Sequence, residues 1–199
     1  MSLQRTWPLL LLVAAGFVHW LLTRQPSAVD PGPGVLVKSV PEQREVVKAK
    51  TIQYQEFELT PLASYRLRAR VLSRMDYRWD EGAALSPIDL ALGWGRMSDS
   101  SVLEQIEIEQ SVRFYSWRVQ EFPIPRREIE RSSANTHLIP ATDLIDRQLR
   151  KIAQGQVVEL SGYLVEASRE DGFHWRSSLT RDDTGAGACE LFLVEEVRF

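Results

Sequence analysis

A chain of 199 residues with 44% hydrophobic and 26% charged side chains has room for one domain of ordinary size plus a short appendage, and its composition is globular rather than disordered. Its formal charge of −3 supplies no general attraction to nucleic acid. One cysteine excludes an internal disulfide, and no Cys/His cluster has zinc spacing, so neither a metal nor another cofactor is expected.

The first element is an uncharged run bounded by Arg5 and Arg24. As a helix, residues 6–23 span about 27 Å, the thickness of a bilayer core. Trp7 and Trp20 sit near its ends as interfacial anchors do, and Pro8 falls in the first turn, where a missing N–H costs little. A cleaved signal peptide is the competing reading, but Pro26-Ser27-Ala28 is a poor cleavage site. Residues 1–24 are therefore read as a single-pass transmembrane anchor, with a short inside tail and the bulk of the chain beyond the cytoplasm. Residues 25–45, rich in proline and glycine, cannot propagate a helix and read as an extended tether.

Residues 46–199 are predicted to be mostly strands. Tyr65, Leu67, Ala69 and Val71 alternate with Arg66, Arg68 and Arg70, the pattern of a half-buried strand. The arginine stripe, continued by Arg74 and Arg78, reads as a solvated or charge-protected face before it reads as a polyanion site. Ile88–Trp94 is a short apolar strand. Residues 104–119 read as one long bent strand, with Ile106, Ile108, Val112 and Phe114 on one face and Glu107, Glu109, Arg113, Tyr115 and Trp117 on the other. One helix is expected. Thr142 caps it, Asp143 and Asp146 suit its first turn, Ile145, Leu149 and Ile152 form its apolar stripe, and Gly155 ends it. Strands over 157–165, 173–179 and 189–198 complete the chain, the first two joined by a Glu170-Asp171-Gly172 turn. This order predicts an α+β, mostly β domain: a small antiparallel sheet or a partly open OB-like barrel with one packed helix.

Three chemistries meet in TRDDTGAGACE, residues 180–190. Asp183-Thr184-Gly185-Ala186 spells the aspartic-protease tetrapeptide, but that chemistry needs two carboxylates sharing a proton and only one copy exists; an Asp/Gly turn accounts for it better. Gly185 and Gly187 lack the following lysine and helix of a phosphate loop. The order His137, Cys189, Arg198 in an anchored, strand-rich chain is similar to that of sortase transpeptidases, in which the thiolate attacks and the arginine steadies the oxyanion. Gly187-Ala188 replaces the Thr-Leu-x-Thr that precedes the sortase cysteine, and strand alternation sends Cys189 and Arg198 to opposite faces. A small buried hydrophobe is the plainer account of Cys189.

Six tryptophans are many for a small domain. Trp94, Trp117 and Trp175, with Arg113, Tyr115, Asn135 and His137, form a set of aromatic and polar residues in or beside strands, suited to a carbohydrate or peptide groove or to core packing.

The phrases SPIDLALGWGRMSD (86–99), RFYSW (113–117), ANTHLIPA (134–141) and WRSSLTRDDTGAGACELFLVEEV (175–197) resemble a family of uncharacterised membrane-anchored proteins of Gram-negative bacteria. The likeness covers about Tyr65 to the C-terminus. It implies an inner-membrane anchor and a periplasmic domain, and it carries over no functional residue. The expectation is a tethered, non-catalytic module that binds a cell-envelope protein or glycan, with a cysteine-nucleophile enzyme using Cys189 and His137 as the alternative.

Overall fold

In a computed structural model the described residues are 11–14, 16, 25–181 and 189–199. They form a mostly β structure with a large mixed sheet and few helices. The strands are β1 (Glu42–Glu45), β2 (Ile52–Tyr54), β3 (Phe57–Asp76), β4 (Ile88–Gly93), β5 (Glu107–Ser111), β6 (Phe114–Arg118), β7 (Ser133–Pro140), β8 (Val157–Ser168), β9 (His174–Arg176) and β10 (Glu190–Arg198). The helices are α1 (Ser100–Leu103), α2 (Arg126–Arg131) and α3 (Asp143–Leu149), with a 3-10 turn at Gly95–Ser98.

β3 is the organising strand. Its even alternation buries Tyr65, Leu67, Ala69 and Val71 as the sequence predicts. It is long enough to serve several partners: β1, β2, β4 and β8. Register shifts at Pro61/Ala63 and Val71/Ser73 bend it, the first where proline cannot donate to a ladder. The bends let β3 pair with β4 through one half and with β8 along most of its length. The pairings β3–β4, β4–β7, β7–β10, β10–β8 and β8–β3 then return to their starting strand. The β7–β10 pair is parallel, so of the two expected forms the small antiparallel sheet gives way to a large mixed one.

Inside this ring, Tyr65 and Leu67 of β3, Ile88, Leu90 and Leu92 of β4, Leu138 of β7, and Phe192 and Val194 of β10 form one core cluster. Ile145, Leu149 and Ile152 add the predicted helical stripe to it, and Thr142 Oγ1 accepts from Ile145 N–H at 3.3 Å as the cap. At the other end, Arg74 donates to the carbonyls of Leu149 and Ile152, both at 2.8 Å. Arg74 and Arg70 are buried, Arg70 donating to Ser98 O and Ser100 Oγ. The arginine stripe therefore divides: Arg66 is exposed and paired with Glu159, while Arg70 and Arg74 are internal fasteners.

The predicted long strand over 104–119 is a hairpin, β5–β6, with Val112 and Arg113 at its two-residue tip, both at positive φ (47° and 69°). Reversal at that tip changes the faces. Trp117 stands opposite Ile108 and Tyr115 opposite Gln110, so both aromatics join Ile108 against a cluster of Leu72, Ala91, Met97, Ile106, Ile124 and Ile129. The predicted strand at 173–179 shortens to β9.

Folding begins before Val46. β1 pairs with β3, Val37 is fully buried, and Ser98 Oγ accepts from the amides of Leu36 and Val37. Val29 N–H bonds Gln154 O, and a Cβ on Gly155 would lie 1.7 Å from Val29 O, so the tether lies directly on that glycine. Residues 11–14 and 16 are helical; among the described residues no helix is long and apolar enough to cross a membrane. Most of the predicted span 6–23, and the Asp183–Ala186 and Gly185/Gly187 motifs, lie outside the described residues.

Candidate functional site

Strand alternation gives β4 and β7 two buried faces, one turned into the ring and one beneath the β5–β6 hairpin. Asp89 stands opposite His137 in the β4–β7 register, and Asn135 shares the His137 face two residues away. Asp89 is fully buried in an otherwise apolar strand, a position a carboxylate holds only when partnered. Its Oδ1 accepts from Arg113 Nη1 at 2.8 Å and from Ser86 Oγ at 3.3 Å. Its Oδ2 is 2.8 Å from His137 Nδ1, close enough for an ion pair but not aligned as a hydrogen bond. The His137 ring lies against Trp175, centroids 4.5 Å apart.

Arg113 reaches this carboxylate from the hairpin tip. It forks onto Asp80 at 2.6 and 2.9 Å, donates to Ser86 O at 2.8 Å, and stacks 3.6 Å above the Tyr77 ring. Its amide donates to Tyr77 Oη and its carbonyl accepts from Asn135 Nδ2, each at 2.9 Å. Burial works to lower its guanidinium pKa, but Asp80 and Asp89 together hold it above its ordinary value. These contacts hold two residues in the left-handed region, where a branched side chain such as Val112 is strained.

Asn135 joins the ionic cluster to a cavity. Gln110 Nε2 donates to its Oδ1 at 2.7 Å, and its Nδ2 also lies 3.6 Å from Cys189 Sγ. The cavity has a volume of about 550 Å³ and is lined by residues 114–119, Phe122, Arg126, Glu130, residues 133–135 and Cys189. Trp117 and Phe122 meet edge to face at 6.2 Å, and the Arg126 guanidinium sits 6.0 Å from the Trp117 ring. Tyr115 Oη bonds Ser133 Oγ at 3.1 Å; burial pushes its phenol up to about 12, so it stays neutral near pH 7.

Of the predicted set, Tyr115, Trp117 and Asn135 line the cavity, while Arg113, His137 and Trp175 form the buried cluster behind it. Trp94 is buried elsewhere, 5.3 Å from the Arg181 guanidinium. Cys189 is half-buried at the cavity rather than lost in the core. Arg198 does not join it: the two lie at opposite ends of β10, roughly 30 Å apart along the strand, and Arg198 pairs with Glu196 and Glu159. The alternative grouping of Cys189, His137 and Arg198 is therefore not brought together at Arg198, in keeping with the strand alternation. Among the described residues no three His, Cys, Asp or Glu side chains gather as metal ligands.

Asp89, Gln110, Phe122 and Arg126 were not singled out from the sequence. For Asp89 a signal existed, a lone acid inside Ile88-Asp89-Leu90-Ala91-Leu92. Compared with known proteins, the chain matches no family model, no curated protein and no solved structure.

Proposed function

We propose that this protein is a non-catalytic binding module of the cell envelope, anchored in the inner membrane through residues 6–23 and presenting its domain to the periplasm. The observation that carries the reading is the aromatic cavity of about 550 Å³, walled by Phe114, Tyr115, Trp117 and Phe122 and backed by the Arg113–Asp89 ionic cluster. A ligand site of that size wants an apolar wall and a few fixed polar groups, which Asn135 and Arg126 supply. An OB-type barrel is the finer fold reading. It is supported by the five-strand ring, the single parallel pair and the placing of α3 between β7 and β8. Ligands of that fold use the face of the second and third ring strands, here β4 and β7, and β7 borders this cavity. The ligand is a protein segment or a glycan.

The test is titration of the full chain with soluble peptidoglycan fragments and with linear peptides, followed by tryptophan fluorescence. Trp117→Ala and Arg126→Ala are expected to weaken binding about tenfold or more. Binding untouched by both variants would refute the site. A C-terminal alkaline phosphatase fusion should be active if the domain is periplasmic and inactive if it is not.

One contact favours the enzyme reading as a second one: the Asn135 amide donor beside the half-buried Cys189, a group that would stabilise a thiolate there. Alkylation of native Cys189 faster than in the unfolded chain, and slowed by Asn135→Leu, is the outcome that would move it ahead. Native labelling slower than unfolded would remove it.

A further inference from the structure

Among the described residues the β5–β6 hairpin is a sheet of two strands, so there β6 has an edge with no ladder. Its register closes on Ser111 opposite Phe114 around a two-residue turn. The alternation of an antiparallel ladder then pairs the backbone of Phe114, Ser116 and Arg118 with β5. It turns the N–H and C=O groups of Tyr115 and Trp117 outward. Among the described residues, no hydrogen bond outside the ladder reaches those four groups. Every residue from Phe114 to Val119 lines the cavity. Side chains alone would present every second residue to one space, so an unbroken run means that the strand edge itself faces it.

We infer that the cavity receives an extended segment of a partner protein, which adds to β6 as a third strand. This deepens the binding reading and rests on it. Two outward donors and two outward acceptors repeat along β6 at about 6.8 Å, twice the rise per strand residue, which is the repeat another strand presents. A sugar has no such repeat. Inward side chains of the added strand meet the Trp117 and Phe122 wall, which selects an apolar residue. Arg118 and Arg126 also stand on the lining, each already paired with an acid, Glu107 and Glu130, so the charges there balance and the aromatic wall sets the preference. Affinity then comes from main chain and aromatic wall, and selectivity from alternate side chains.

The probe is a phage-displayed library of random linear peptides, panned on the full chain in mild detergent. An enriched peptide is then synthesised with a single N-methyl group at each position in turn. The expected result is that methylation at every second residue weakens binding about tenfold, with the positions between unaffected. Hydrogen exchange at the Tyr115 and Trp117 amides should slow with the peptide bound, and Arg126→Glu, which leaves Glu130 without its cation, should shift the selected peptides toward basic ones. Enriched peptides with no alternation under N-methylation and no amide protection would overturn the strand-addition inference. So would protection of those amides without peptide in a self-associated chain, which would make a second copy the occupant. If peptidoglycan fragments bind at Trp117 while no peptide enriches, the inference fails and the binding module stands. If neither class binds, both fail.

Discussion

Arg113 is the test of whether the buried cluster holds the hairpin over the large sheet. Arg113→Met keeps a long apolar stem and removes the guanidinium. The fork onto Asp80 contributes little, because that carboxylate is 37% exposed and solvent screens it, so its loss costs at most about 1 kcal/mol. Asp89 is different. Its side chain is 0% exposed and would keep a buried charge without its 2.8 Å cation, a loss of about 3–5 kcal/mol in comparable buried pairs. The assay is urea unfolding followed by tryptophan fluorescence, with a lowered midpoint at unchanged slope. The diagnosis comes from the second variant. Arg113→Met with Asp89→Asn removes the stranded charge and should be about 1–3 kcal/mol more stable than Arg113→Met alone. A single-variant cost below about 1 kcal/mol, or a double variant as unstable as the sum of the singles, would refute the assignment of Asp89 as the hub.

Val112 stands at φ 47° with 80% of its surface exposed, so Val112→Asn relieves backbone strain and forfeits little burial; a gain of about 1 kcal/mol in thermal or urea unfolding is expected, and a loss would mean that the strain is not there. Gly155→Ala, with φ +85° and Val29 O in its way, should cost about 2 kcal/mol or more and speed amide exchange at Val29; unchanged exchange there would contradict the close approach. The Asp99 carboxyl is held below its ordinary value by the Gly34 amide first and then by Ser101. Its stabilisation is therefore present above the unfolded pKa and lost as pH falls through the depressed folded one. Limited proteolysis within residues 25–41 should rise in acid below the usual carboxylate range, and Asp99→Ala should be cleaved readily at every pH; cleavage of the native chain without pH dependence would count against the clasp.

What the sequence disclosed was local. The alternation of Tyr65–Val71 and the Thr142 cap with its Ile145, Leu149 and Ile152 stripe depend on neighbours a few residues away, and both stand as read. The parallel β7–β10 pair joins distant segments and leaves no local mark. Arg70 and Arg74 were misread for a related reason. Their partners arrive from residues 98–100 and from the end of α3, while the bulge at Val71/Ser73 shifts the register between them. The hairpin escaped for a different one: its tip is Val-Arg where such turns ordinarily carry Asn or Gly, so pattern reading ran one strand through it and put Tyr115 and Trp117 on the wrong face.

That same departure explains the site. A glycine at position 113 would relax the turn and leave Asp89 buried without its guanidinium, so the left-handed arginine is the geometry that delivers a cation from the hairpin to β4. Its carbonyl then takes one N–H of Asn135, whose other N–H reaches toward Cys189 at the cavity. Local rule and global structure disagree at Val112 and Arg113, and a strained backbone that persists does so because the surroundings over-determine it. Here the surroundings are Asp80, Asp89, Ser86, Tyr77 and Asn135 acting on one residue, and what they fix in place is the strand whose edge and aromatic side chains form the cavity wall.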